Sequence, residues 1–286
     1  MSAKLLGAHV PIKGGLGNGL RAGKAIGCDA VQVFTSSPQQ WYAKPVSNEQ
    51  VFDFKEAQKE TGIYSVVSHD SYLVNLCAPE ADMAVKSYNG LKDEIYRCAL
   101  YGIPYVVSHM GSAKGQPEED ALLMVAAATN ILLDDTPDTV TLLMETTAGQ
   151  GSSLNWQFEQ LALILEECHG NPRLCVCLDT CHVFAAGYDI RTPEGFTKTF
   201  EDFERIVGFD RLKVVHCNDS KREFGSRVDR HEHIGKGLIG DEAFRLLVTD
   251  SRFENIPILL ETEADGHAAD LAHLRELAGE GVAQVR

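Results

Sequence analysis

The first regularity along the chain is a set of short apolar runs rich in β-branched residues, at 5–10, 30–34, 64–68, 105–108, 140–144, 174–178, 212–215 and 256–260. They read as near-continuous apolar stretches, the pattern of strands buried on both faces. Between them lie segments with helical period and good helix formers, clearest at 49–60, 120–133 and 158–168. In the second, Ala121, Leu122, Val125, Ala128, Thr129 and Leu132 share one face; in the third, Leu161, Ile164 and Leu165 do. Strands alternating with helices imply a parallel sheet, and eight such units imply a closed (β/α)8 TIM barrel. This α/β chain is therefore expected to form a single barrel domain over residues 1–286, with its site at the C-terminal face of the strands. An open doubly wound sheet is the alternative, but Gly14-Gly15-Leu16-Gly17-Asn18-Gly19 matches neither the dinucleotide nor the P-loop pattern that would favour it.

The residue that closes each run carries the chemistry. Strand 1 leads to His9. The third to eighth strands end at His69, His109, Glu145, Asp179, His216 and Glu261. A single His or Glu at a strand end is more often a satisfied core or capping group than a ligand. Six in succession are another matter, because the C-terminal ends of barrel strands converge on one face. Three carboxylates and three imidazoles at a buried mouth would repel and desolvate at high cost without a cation. A divalent metal resolves this most simply, and the mixed N/O donors suit zinc, with manganese or iron as alternatives.

A second donor group follows. His182 lies three residues past Asp179, in the loop after strand 6. Asp229 and His231 share one face of an extended segment, so with His182 they make a separate site of two nitrogens and one oxygen. His233 is expected behind the ligands or in solvent. His169, His267 and His273 sit in polar helix or loop contexts and are read as unrelated to the site.

Composition limits the partners. Hydrophobic residues make up 44% of the chain, enough for a sizeable core, and no run approaches the ~20 apolar residues of a membrane helix. The opening residues, 1–7, are too short and polar for a signal peptide and read as the start of a strand, so a cytoplasmic protein with no membrane partner is expected. The eight cysteines sit mostly in apolar runs and read as reduced, buried thiols. Cys175, Cys177 and Cys181 lack the paired spacing of a structural zinc knuckle. The net charge of −15 excludes bulk attraction to nucleic acid. Any such binding needs bound cations or a local basic surface, for which the segment 213–236 supplies Lys213, Lys221, Arg222, Arg227, Arg230 and Lys236.

Several motifs resemble the endonuclease IV family of abasic-site endonucleases. They are Asp179-Thr180-Cys181-His182 with Ala185-Ala186-Gly187-Tyr188-Asp189; His216-x-Asn218-Asp219-Ser220-Lys221; and Gly225-Ser226-Arg227-x-Asp229-Arg230-His231-x-x-Ile234-Gly235-x-Gly237. Glu145-x-Thr147-Ala148-Gly149-Gln150-Gly151, Leu260-Glu261-Thr262 and the opening Gly7-x-His9-Val10 match as well. The resemblance spans the chain and implies a DNA-repair endonuclease acting on double-stranded DNA with no obligate protein partner. It implies three zinc ions: one on His69 and His109, a second on Asp179, His216 and Glu261, a third on His182, Asp229 and His231. Glu145 would bridge the first two, and Glu145 and Glu261 would stand at the reacting phosphate. Cleavage would fall 5′ to the abasic site and leave a 3′-hydroxyl. Gln39, Tyr72, Leu73 and Arg230 would meet DNA.

The departures from the family pattern fall on lesion contacts. Gln39 stands where an arginine is usual before Gln40-Trp41. The second loop reads His69-Asp70-Ser71-Tyr72-Leu73, which keeps the Tyr-Leu pair, and Met110 follows His109 where proline is common. The rival reading is a sugar isomerase or epimerase of the xylose isomerase-like barrels, which would use Glu145, Asp179, His216 and Glu261 around one metal. It leaves His69, His109, His182, Asp229 and His231 without a purpose. A non-catalytic zinc protein is a third class, and loops without Cys ligands argue against it.

Overall fold

A computed structural model describes residues 4–279. Eight parallel strands close into a barrel: β1 (Leu5–His9), β2 (Ala30–Val33), β3 (Ser65–His69), β4 (Tyr105–Ser108), β5 (Thr141–Glu145), β6 (Leu174–Asp179), β7 (Leu212–His216) and β8 (Pro257–Leu260). They hydrogen-bond in sequence order, and β1 pairs with β8 to close the ring. The expected barrel is present, with strand bounds within a residue or so of the apolar runs. Residues 1–3, read as part of the opening strand, lie outside the described residues.

The helices lie outside. Between the strands run α1 (Leu16–Ala25), α2 (Asn48–Thr61), α3 (Ala81–Tyr101), α4 (Glu118–Asp134) and α5 (Phe158–Glu167). After β6 come α6 (Thr180–Ala186) and α7 (Pro193–Ile206), and α8 (Asp241–Thr249) and α9 (His267–Leu277) complete the shell. Local sequence sets their ends. Ser47 and Gln50 form a reciprocal capping box on α2, and Gly62 ends that helix at φ 74°. Thr192 caps α7, with Pro193 in the first turn. No described helix is long and apolar enough to cross a membrane.

The core has two parts. The larger lies between helices and strands. The smaller fills the barrel itself, with Ala30, Val67, Val107, Leu143, Cys175, Cys177, Val214 and Leu259. This inner set decides where the site falls. Side chains alternate along a strand, so the residue two positions on faces inward again. Val67 is followed by His69, Val107 by His109, Leu143 by Glu145, Cys177 by Asp179, Val214 by His216 and Leu259 by Glu261. The same phase carries Ala30 to Gln32. The plug of small apolar side chains is thus the floor on which a ring of polar ones stands.

Candidate metal centre at the barrel mouth

Glu145 sits at the centre of this ring, fully buried. Its Oε2 lies 3.1 Å from His69 Nε2 and 2.9 Å from His109 Nε2, while its Oε1 lies 2.9 Å from His216 Nδ1 and 3.4 Å from His182 Nδ1. One carboxylate therefore divides its two oxygens between two groups of imidazoles. Donor atoms gather within 4.8 Å of one another in His69, His109 and Glu145; in Glu145, Asp179, His216 and Glu261; and in His182, Asp229 and His231. A further such set is Asp179, Cys181 and His231. The structure thus brings together all nine residues singled out in the sequence.

Two of them arrive by routes the sequence reading did not foresee. His182 lies in the first turn of α6 rather than in a loop. Asp179 caps that helix by accepting the His182 backbone N–H at 2.8 Å. The helix is only seven residues long, too short for periodicity to reveal. His231 lies in a two-residue antiparallel ribbon, paired with Ser220, that folds the loop after β7 back over the mouth.

Hydrogen bonds behind the imidazoles orient them. His69 Nδ1–H donates to the Asp70 carbonyl at 2.9 Å, which leaves Nε2 facing the cluster. His182 Nδ1–H donates to the Thr146 carbonyl at 2.8 Å, turning Nε2 to Asp229 at 3.2 Å. Asn218 ties two strands together: its Nδ2 donates to Asp179 Oδ2 at 2.7 Å and its Oδ1 accepts from the Glu261 backbone N–H at 2.8 Å. Such outer partners hold ligand nitrogens and oxygens in place.

The donor set fits divalent metal. His231 Nε2 is buried without a hydrogen-bond partner, although Asp229 Oδ1 lies 3.2 Å away. The electrostatics point the same way. Burial would raise the Glu145 carboxyl, yet His109 and His216 hold it well below the usual range. Burial raises Asp179. Burial would lower His69, but the Glu145 carboxylate lifts it to about 9. Buried carboxylates that draw protons onto the imidazoles around them are drawing in positive charge, which a bound cation would supply instead.

Three clefts surround the cluster. One of about 280 Å³ contains His9, Phe34, Tyr72, His231 and Glu261. A larger one of about 580 Å³ runs past Tyr72, Leu73 and His109, and a smaller one reaches Gln150 and Arg230. Tyr72 is 63% exposed, its ring 5.4 Å from Phe34 and 5.6 Å from His69. Leu73 is half-buried. Gln39 and Arg230 are exposed, and Gln39 is not among the residues lining these clefts. Lys221, Arg222, Arg227 and Lys236 are exposed too, and Arg227 stacks on Trp156 at 3.7 Å. Lys213 does not belong to this surface. It lies near the start of β7, at the opposite end of the barrel, and bonds the Asp210 carbonyl.

Sequence reading missed three contributors. Gln32 interrupts an apolar run in the inward phase, which was its available signal. His267, read as unrelated, is 2% exposed and bonds the Thr262 carbonyl at the wall of the cleft. Asp270, buried on α9, bonds both His233 and Thr262.

Residues 20–283 match the family described as a xylose isomerase-like TIM barrel. A probable endonuclease 4 of Chloroflexus aggregans is 48% identical over 276 residues, covering 95% of this chain and 96% of its own. The crystal structure of endonuclease IV from Thermus thermophilus superposes at a TM-score of 0.85 with 34% identity, over 96% of this chain and 99% of that one. A D-allulose 3-epimerase from Methylomonas sp. superposes at 0.62 with 17% identity, over 98% and 95% of the two chains. That last likeness speaks for the barrel alone.

Proposed function

The chain belongs to the endonuclease IV family, a branch of the xylose isomerase-like barrels, and from this we propose that it is a DNA-repair endonuclease that hydrolyses the backbone 5′ to abasic sites through three zinc ions, leaving a 3′-hydroxyl. The observation that supports this reading best is the convergence of nine donors in three groups around Glu145. A sugar epimerase needs one metal and has no use for five of them.

His69 and His109 would hold one ion, Asp179, His216 and Glu261 a second, and His182, Asp229 and His231 a third, with Glu145 shared between the first two. Bound there, the ions would polarise a phosphodiester, stabilise its in-line transition state and supply an activated water near neutral pH. The residues do the rest. Glu145 and Glu261 flank the reacting phosphate and keep the imidazole nitrogens in register. Tyr72 and Leu73 stand beside that position on an exposed loop, where they can enter a groove and hold the base stack open. Arg230 and its basic neighbours face the backbone phosphates on a chain whose net charge is −15. A soluble enzyme of the cytoplasm, with damaged duplex as its partner, is consistent with all of this.

The test is a labelled duplex carrying one tetrahydrofuran abasic analogue, incubated without added magnesium. A single cut on the 5′ side, by a protein carrying close to three zinc ions, is expected. No cut, or one metal per chain, would overturn the reading.

A further inference from the structure

His9 and Gln32 complete the inward ring on the two strands that provide no metal ligand, and their hydrogen bonds can be assigned without ambiguity. Gln32 is fully buried and its amide touches three groups. One amide atom lies 2.7 Å from Glu261 Oε1. A carboxylate only accepts, so that atom is Nε2. Gln32 Oε1 is then the atom 2.8 Å from His216 Nε2, which must carry a hydrogen and donate it. The remaining Nε2–H of Gln32 meets His9 Nδ1 at 3.1 Å, so Nδ1 accepts. Glu261 Oε1 is 3.8 Å from the same nitrogen, beyond hydrogen-bond range. Gln32 thus occupies His9 Nδ1 and leaves the ring proton on Nε2.

That second nitrogen has no partner among the described residues and is not among their buried orphan atoms. It therefore opens to the cleft of about 280 Å³ that His9 lines beside Phe34 and Glu261. The Phe34 ring, 4.4 Å from the imidazole, fixes the ring in that position. An oriented N–H donor at the rim of the metal cluster, in the neutral form of histidine, has one evident use.

We propose that His9 is a substrate-binding residue whose Nε2–H donates a hydrogen bond to an oxygen of the abasic nucleotide, either on its sugar or on its phosphate. Gln32 is the positioning residue that imposes this tautomer, and it links the donor to Glu261 and His216. The inference rests on the abasic-endonuclease reading above, so wild-type cleavage is the control that separates the two: if the wild type fails to cut, that reading fails first.

The experiment compares holoprotein variants His9→Phe and His9→Gln in single-turnover cleavage of two duplexes, one with a natural abasic site and one with tetrahydrofuran, which lacks the C1′ hydroxyl. His9→Phe keeps the ring and removes the donor, and a loss of about 10- to 100-fold is expected at unchanged metal content. His9→Gln, whose amide reaches the same place, should recover much of it. A loss on the natural site alone assigns the acceptor to the C1′ hydroxyl; equal losses on both assign it to the phosphate or ring oxygen. Unchanged cleavage by His9→Phe, or a loss that tracks loss of metal, overturns the proposal. Should the variants fold poorly, nitrogen NMR of the wild-type ring decides. The proton is expected on Nε2, with its resonance moving when nicked abasic product is added; a proton on Nδ1, or no movement, overturns the proposal.

Discussion

Ser71 Oγ donates a 2.7 Å hydrogen bond to the carbonyl of Pro38, and so joins the loop after β3 to the loop after β2. These are the loops that carry Tyr72 and Gln39. Ser71 Oγ also accepts from the Leu73 backbone N–H at 3.2 Å. The loops share anchors at their base as well. Arg97, buried on α3, donates from Nε to Thr35 Oγ1 at 2.9 Å and from Nη1 to the Lys44 carbonyl at 2.8 Å. Glu94 accepts from Thr35 and Ser68. The two loops are therefore tied to each other at the tip and held at the base by α3.

Ser71→Ala breaks the tie at the tip and leaves the base and the metal donors alone. One hydrogen bond contributes about 1 kcal/mol, so preference for abasic over intact duplex should fall about fivefold. Titrating both duplexes measures it. Unaltered preference would mean that the loops are aligned by their bases alone.

Glu145→Gln keeps the shape of the side chain and removes the charge shared between two imidazole groups. Cleavage should fall by several orders of magnitude, with loss of metal from both groups, while the circular dichroism of the barrel is retained. Near-normal cleavage would end the assignment of Glu145 as a bridge.

Asp229 and His231 belong to a different donor group. Asp229 lies 3.2 Å from both His182 Nε2 and His231 Nε2, and this group meets Glu145 through the other nitrogen of His182, Nδ1, at 3.4 Å. Asp229→Ala or His231→Ala should release one metal and leave the remaining pair. The loss should appear in kcat, because charge placed on a leaving oxygen acts mainly in the transition state. Weakened DNA binding at unchanged turnover would contradict that role.

How much of this was legible in the sequence follows from the geometry of strands. Val67 to His69 and Leu143 to Glu145 are steps of two along visible apolar runs, so a donor at the end of a run faces the axis by necessity. The barrel and six donors could be read in this way. His182 reads as a loop residue in the sequence because α6 is short and begins at a strand-end aspartate. Gln32 carries no local sign of its role, since its three partners lie at least 23 residues away in sequence. His267 and Asp270 lie on the last helix, and nothing local in their segment signals burial against a distant loop. Lys213 groups with the basic surface in sequence alone, because sequence proximity hides which end of a strand a residue occupies.

Gln32 allows its own test. Gln32→Leu removes the acceptor that fixes the His216 tautomer and the donor to Glu261, at similar volume. Outer partners of this kind are worth roughly 10- to 100-fold in metal affinity. Competition with a chelator should show a loss of that size for one metal. Retained affinity would show that His216 is oriented by packing alone.

Under the proposed function, Tyr72 and Gln39 would bear on how damage is recognised. Tyr72 is 63% exposed beside His69, yet its ring also rests on Phe34. Packing onto Phe34 gives it a fixed orientation and leaves most of the ring free to wedge against a base step. An abasic nucleotide has no base to unstack, so opening the duplex there costs less than at an intact pair. Selectivity then needs no base readout. Tyr72→Ala should weaken binding to abasic duplex more than to intact DNA. Gln39 is exposed on the companion loop and brings no charge to a chain of net −15. Gln39→Arg should tighten abasic-duplex binding and steepen its salt dependence by up to about one unit, the contribution of one added phosphate contact. Titrations of both duplexes at several salt concentrations read the two effects separately. Equal losses on damaged and intact DNA in Tyr72→Ala would remove the loop from lesion sensing. An unchanged salt slope in Gln39→Arg would place that side chain away from the phosphates.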